Sequence, residues 1–269
     1  MAAITVRNLT KLYGRRPAEG LALARAGADK AEILARTGCS LALRGVNLDI
    51  PSDGVFVLMG LSGSGKSTLV RCLNRLVEPS SGAILHDGHD ILGLDPAALR
   101  ELRRRKVSMV FQGFGLLPHR SVLQNVAFGL ITRGEPKAEA EAKARRWIEA
   151  VGLSGYAAQR PAALSGGMRQ RVGLARALAC DTEVILMDEA FSALDPLIRL
   201  EMQDLLIRLQ QDLNKTIVFV THDLEEALRL GAQIAVMKDG EIVQVGPPAE
   251  ILARPADAYV ARFVERRGG

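Results

Sequence analysis

Apolar positions along the chain follow two spacings. Residues 3–14 alternate, with Ile4, Val6 and Leu9 apolar between Thr5, Arg7 and Asn8, which predicts a half-buried strand ending near Gly14. Leu41 to Ile50 reads the same way, with Leu43, Val46, Leu48 and Ile50 facing inward. Between them, Pro17 to Gly38 is rich in Ala, Leu and Arg and predicts one or two short helices broken near Gly27. Continuous apolar runs at Gly54–Met59, Lys106–Phe111, Val184–Met187 and Thr216–Val220 predict buried strands of a parallel sheet. Ile234–Met237 and Glu241–Val245 flank Lys238-Asp239-Gly240, the pattern of a hairpin with a glycine turn. A short strand, Ala83–Leu85, is expected between turns at Pro79-Ser80-Ser81-Gly82 and His86-Asp87-Gly88.

Helical spacing appears in Leu69, Val70, Leu73 and Leu76, and in Glu135–Val151 with Trp147, Ile148 and Val151 on its apolar face. It recurs in Val172, Leu174, Ala175, Ala177 and Leu178, in Leu197–Leu213, and in 248–252 and 256–264. Asp95 and Pro96 start a further helix as N-cap and first residue. No strand signal occurs between Gly113 and about Ala163, so this stretch reads as a helical insertion into an α/β core.

Composition narrows the class. A chain of 269 residues, 48% hydrophobic, can bury a sizeable core as one large domain or one with subdomains. The N-terminus lacks an apolar signal region, and no apolar run approaches the roughly 18 residues of a membrane span, so a cytoplasmic chain is expected. Cys39, Cys72 and Cys180 have no metal-ligand spacing and are expected as buried free thiols. The net charge of +5 permits acidic partners. The basic run Arg103–Lys106 reads as a solvated helix end, and the scarce aromatics argue against a nucleic-acid platform.

The densest chemistry lies at Gly60-Leu61-Ser62-Gly63-Ser64-Gly65-Lys66-Ser67-Thr68, between a buried strand and a helix. Gly, any four residues, then Gly-Lys-Ser/Thr is the phosphate-binding loop. Glycines at 60, 63 and 65 allow positive φ, so that successive amides can turn into one concavity around phosphate oxygens. The helix end adds positive potential, Lys66 a mobile charge, and Ser67 a hard oxygen for Mg²⁺. Val184–Met187 delivers Asp188 at a strand end, where it can reach Mg²⁺, and Glu189 follows, placed to polarise a water for attack on a γ-phosphate. Gln112, also at a strand end, offers an amide oxygen to Mg²⁺ or to that water.

Leu164-Ser165-Gly166-Gly167-Met168-Arg169-Gln170 opens another helix, with Ser165 as N-cap and two glycines that weaken a helix start but suit an anion site. His222 follows a buried strand, and a neutral imidazole there can bond a γ-phosphate, although a lone histidine is more often structural. His86 and His89, expected in a turn, and His119, in a loop, carry no assigned chemistry. Phe114, Leu116, Leu117 and Pro118 are either core residues of the helical insertion or a docking surface.

In order along almost the whole chain, these motifs resemble the ATP-binding subunit of an ABC transporter: the phosphate loop 60–68, Gln112, the signature 164–170, Asp188-Glu189, Ser192-Ala193-Leu194-Asp195 and His222. Residues 60–71, 164–179 and 187–199 are similar to the ATPase of glycine betaine, proline betaine and choline importers. Met168, in place of the more usual glutamine, and the 17–38 insertion resemble the same branch. The resemblance implies a P-loop NTPase core with an N-terminal antiparallel β subdomain and an inserted helical signature subdomain. It divides the chain into about 3–111 (with the insert 17–38), about 113–163, about 164–246, and C-terminal helices 247–269. Many members carry a C-terminal pair of regulatory domains. The chain runs only a few residues beyond Phe263, so none is expected here.

The resemblance further implies ATP and Mg²⁺ as cofactors. Two copies would pack head to tail, each ATP lying between residues 60–68 of one copy and Ser165, Gly166, Gly167 and Met168 of the other. ATP would close the dimer and hydrolysis would reopen it. Glu189 would be the general base, with Lys66 and His222 stabilising transferred charge, Ser67, Gln112 and Asp188 near the metal, and Asp195 contacting the opposite site. Tyr13 matches the aromatic residue that stacks on adenine, at a distance from Gly60 stretched by the insertion. The implied partners are transmembrane permease subunits, reached through the segment around Gln112–His119, and indirectly a solute-binding protein. The implied location is the cytoplasmic face of the plasma membrane. An importer of another solute such as an amino acid is the near alternative. One cassette without heptads argues against a DNA or ribosome ATPase, and intact Lys66, Asp188, Glu189 and His222 argue against a non-hydrolysing regulator.

Overall fold

The computed structural model describes residues 2–113, 115–192, 194–213 and 215–265; Phe114, Ala193 and the tail beyond Glu265 lie outside the described residues. The elements run β1 (Ala2–Tyr13), α1 (Pro17–Arg25), α2 (Lys30–Thr37), β2 (Ser40–Pro51), β3 (Gly54–Met59), α3 (Lys66–Cys72), β4 (Ser81–His86), β5 (His89–Asp90), α4 (Pro96–Arg105) and β6 (Val107–Val110). They continue with α5 (Val122–Val126), α6 (Phe128–Thr132), α7 (Lys137–Ala150), α8 (Gly166–Ala179), β7 (Val184–Asp188), α9 (Pro196–Leu213), β8 (Thr216–Thr221), α10 (Leu224–Leu230), β9 (Gln233–Lys238), β10 (Glu241–Gly246), α11 (Pro248–Ala253) and α12 (Ala258–Glu265). The chain forms two compact units, residues 1–96 with 220–269, and residues 97–219.

In the first unit, β1 pairs antiparallel with β2 and β4 in the order β2-β1-β4-β5. The alternation expected of β1 and β2 is the burial seen: Ile4, Val6, Leu9, Leu43, Val46, Leu48 and Ile50 are all buried. β1 bulges near Asn8, whose φ is 48°, and Gly82 lies so close that a Cβ there would sit 2.6 Å from the Leu9 Cα. This pairing corrects the expected turns. Ser81 and His86 belong to β4 because Thr10 and Ile4 of β1 are their partners, Gly82 lies between paired residues at the bulge, and the turn is only Asp87-Gly88. His86 is buried and its Nε2 lies 2.8 Å from the Leu73 carbonyl, a structural role; His89 is in β5.

The 17–38 insertion forms two helices as expected. Asp29 caps α2 by accepting from the Glu32 amide, and Gly38 ends it in the left-handed region. Leu21, Leu23, Ala24 and Ala28 pack on Leu12, Ile33, Cys39 and Leu41, so the insertion has its own apolar anchor on β1 and β2. Burying Ile33 alone contributes about 1.5–3 kcal/mol.

The same unit holds β10-β9-β3. β3 runs parallel to β9, with Val57 opposite Ile234, and β9 turns into β10 through Asp239 and Gly240 at φ 52° and 85°, the two-residue hairpin turn that matches strand twist. α3 is only seven residues long, and Leu76 lies beyond it, largely exposed, rather than on its apolar face. α10 has no counterpart in the expectations.

In the second unit the order is β8-β7-β6, with β6 parallel to β7. α7 packs against α5 and α8 through Ala140, Ala144 and Ile148, spaced four apart, with Trp147 only half-buried at the edge. Cys39 and Cys72 are buried free thiols, and burial pushes the Cys72 thiol up to about 12; Cys180, at the end of α8, is half-buried instead.

Candidate active site

The phosphate loop is shaped by what presses on it within the first unit. A Cβ at Gly60 would lie 2.3 Å from the Met237 carbonyl oxygen, and one at Gly65 2.6 Å from that of Ala42. Only glycine fits at either position, and Gly63 and Gly65 have φ of 80° and 104°. The hairpin turn braces the loop: the Gly240 amide donates to the Ser64 carbonyl at 2.9 Å, and the Gly240 carbonyl accepts from Arg44 at 2.9 Å.

Lys66 is 4% exposed and its Nζ donates to the carbonyls of Gly60 (2.8 Å) and Leu61 (2.9 Å). A buried ammonium held on backbone carbonyls of the loop is a ready partner for an anion. Ser67 and Thr68 are half-buried beside it. The Tyr13 hydroxyl is 3.4 Å from Thr68 Oγ1, so the insertion does not carry Tyr13 away from the loop. Its exposed ring has Lys11 Nζ 4.8 Å from the centroid. The cradle therefore fits a nucleotide phosphate with an aromatic face beside it.

His222 is exposed at the end of β8. Its neighbours are fixed: Thr221 Oγ1 donates to Glu226 at 2.5 Å, and Asp223 caps α10 by accepting from Glu225 and Glu226. Two contributors went unread in the sequence. Glu226 has a local signal, because Asp223 followed by Glu225-Glu226 is a helix start. Tyr259 has none: its hydroxyl accepts from the Leu61 amide 198 residues away.

In the second unit, β7 ends in Asp188, fully buried. Glu189 follows at φ 45°, a left-handed conformation that costs about 1–3 kcal/mol for a non-glycine residue and marks a position held for its direction. Gln112, just past β6, donates from Nε2 to Glu189 Oε2 at 3.1 Å, so the parallel strands bring these two groups together. The turn beyond is fixed by Ser192 Oγ donating to the Glu189 carbonyl (2.9 Å) and by Arg199 donating to the carbonyls of Ser192 and Leu194. Asp195 is exposed immediately before α9.

Ser165 caps α8, its hydroxyl oxygen accepting from the Met168 amide at 3.3 Å, which leaves the hydroxyl proton to donate outward. The glycines after it differ. A Cβ at Gly167 would meet Ile198 of α9 at 2.7 Å, whereas one at Gly166 would meet nothing within 4 Å. The segment after Gln112 is pinned by Asn125, fully buried, which bonds Leu117, Arg120 and Ser121, and by Arg176, which bonds the Gly115 carbonyl; Leu116 and Leu117 are half-buried there, and Pro118 and His119 exposed.

Residues 43–192 match the ABC transporter family. The chain belongs to that family. It is 51% identical to the glycine betaine/carnitine transport ATP-binding protein of Listeria monocytogenes, over 98% of this chain and 67% of that protein. It is 54% identical to the glycine betaine/proline betaine transport system ATP-binding protein of Salmonella typhimurium, over 97% and 65%. The chain thus spans about two thirds of the length of these relatives. Among solved structures, an ATP-binding cassette in a dimeric post-hydrolysis state with ADP and Pi aligns with a TM-score of 0.77 at 32% identity, over 91% of this chain and 98% of that one. The α/β P-loop NTPase fold expected from the motifs is the fold of this ABC cassette. Among the described residues no helix is long and apolar enough to cross a membrane.

Proposed function

We propose that this ABC cassette is the ATP-hydrolysing subunit of an importer for a quaternary amine such as glycine betaine, proline betaine or choline. It acts as one domain, with residues 113–163 as its helical subdomain, on the cytoplasmic face of the plasma membrane. Hydrolysis is supported above all by the Gln112–Glu189 hydrogen bond beside buried Asp188: a carboxylate aimed by strained backbone and an amide partner is suited to hold and deprotonate a water. The substrate class is supported by the betaine-transport relatives.

Bound ATP supplies the phosphoanhydride, and Mg²⁺ offsets its charge. Residues 60–68 hold the phosphates through backbone amides, and Lys66 turns from the Gly60 and Leu61 carbonyls to a phosphate oxygen. The Ser67 hydroxyl, the Gln112 amide oxygen and the Asp188 carboxylate are the oxygens suited to Mg²⁺. Glu189 takes the proton of the attacking water. His222 donates to transferred phosphate, and Tyr13 stacks on the base. Ser165, Gly166, Gly167 and Met168 face the nucleotide of a second copy packed head to tail, and Asp195 lies at that contact. Permease subunits receive the motion through the 112–119 segment, and a solute-binding protein delivers the substrate to them.

The test is transport. A strain deleted for this chain should regain uptake of labelled glycine betaine or choline when the chain is restored, and should not regain it with Glu189→Gln. Restored uptake of an amino acid but of no betaine would reject the substrate class.

A further inference from the structure

The last helix returns one side chain to the phosphate loop. The Tyr259 hydroxyl, near the start of α12, accepts from the Leu61 amide at 3.1 Å and donates to the Met237 carbonyl at 3.1 Å. That carbonyl is the one that a Cβ at Gly60 would strike. One hydroxyl therefore ties the end of β9 to the first turn of the loop.

The tyrosine is itself well held. Phe263 meets its ring edge-on, with centroids 5.2 Å apart at 82°, and Lys238 Nζ lies 5.1 Å from the ring centroid. Asp257 accepts from the Val260 amide at 2.9 Å. Gln244 of β10 fixes the linker before α12, donating to the Arg254 carbonyl and accepting from the Ala256 amide, both at 2.9 Å. Burial raises the phenol above its ordinary value, so it stays neutral and can donate.

Leu61 is held from two sides. Its carbonyl accepts from Lys66 and its amide donates to Tyr259. The Lys66 bond must be exchanged when that ammonium turns to phosphate. The Tyr259 bond uses no charged group, so nothing in that exchange requires it to break. We propose that Tyr259 is a positioning residue for nucleotide binding: its hydroxyl pins the start of the phosphate loop to β9, so that the loop keeps its concave form while Lys66 changes partners. This rests on the nucleotide reading of the loop. A loop ordered before its ligand arrives loses less freedom on binding, and removing one such bond costs affinity rather than chemistry.

The experiment is equilibrium ATP binding and steady-state hydrolysis on the purified full chain carrying Tyr259→Phe, with Lys66→Ala and Val260→Ala beside it. Tyr259→Phe removes both hydroxyl bonds, of which the one to the Leu61 amide holds the loop; it should weaken ATP binding and raise KM about fivefold, with kcat within about twofold of the parent, as loss of that one neutral bond to the loop implies. Hydrogen exchange at the Leu61 amide should quicken. Val260→Ala, which loosens the same helix at a fully buried position without touching the hydroxyl, should lower the melting temperature and spare ATP affinity. Unchanged affinity in Tyr259→Phe, or an equal loss in Val260→Ala, overturns the proposal. If Lys66→Ala abolishes ATP binding and Tyr259→Phe leaves it intact, only the role of Tyr259 fails; if Lys66→Ala binds ATP normally, the nucleotide reading fails with it.

Discussion

Residues 60–65 and residues 165–167 each place glycines at the start of a helix, and their surroundings differ. Around the first, the chain closes in: Met237, Ala42 and Ser64 leave no room for a Cβ at Gly60 or Gly65, and Lys66 is buried beneath. Around the second, Ser165 is exposed and Gly166 has open space where a Cβ would go. Gly166 also lacks the positive φ that would call for glycine. Only Gly167 is crowded, and by a side chain of its own unit. Glycine at 60 and 65 is thus a requirement of this chain's fold. Glycine at 166 is not, and the proposed composite site with a second copy would give it a reason.

The comparison can be broken at several points. The largest effect is expected at the enclosed end: Lys66→Ala should bring ATP hydrolysis to background, and near-normal turnover in a phosphate-release assay would undo the phosphate-loop reading. Glu189→Gln should keep ATP binding while lowering turnover by about 10²–10⁴-fold. With ATP it should run as a dimer in gel filtration, and a strict monomer would tell against the composite site. The smallest and most discriminating effects concern the signature. Gly166→Ala should leave the melting temperature unchanged or slightly higher, because a Cβ there meets nothing and Ala restricts the unfolded chain, yet lower the hydrolysis rate. Gly167→Ala should destabilise the chain by about 1–3 kcal/mol through the clash with Ile198 Cγ2, with recovery in Gly167→Ala/Ile198→Ala, which removes that carbon. Equal stability losses at 166 and 167 would erase the distinction.

Most of this was legible because it is written in local spacing. The run at Gly54–Met59 and the glycines after it place strand and loop, Val184–Met187 delivers Asp188, and Asp239-Gly240 makes its hairpin turn. What local spacing does not carry is a partner far along the chain. Ser81, Gly82 and His86 looked like turn residues, and only pairing with β1 makes them strand. The aim of Gln112 at Glu189, 77 residues away, follows from parallel pairing of β6 and β7 rather than from either motif. Leu76 kept helical spacing after the helix had ended. α10 was short enough to pass unread although its cap residues announce it.

The bond between Gly240 and Ser64 has a consequence in time. The loop's residues are synthesised early, while the turn that supports them is made some 176 residues later. Until Gly240 has emerged and β9 lies beside β3, residues 60–65 are a glycine- and serine-rich segment without the backing that curves it. Nucleotide binding would then be among the last properties this chain acquires during its synthesis, and a nascent chain stopped short of residue 240 would carry the whole motif and hold no phosphate.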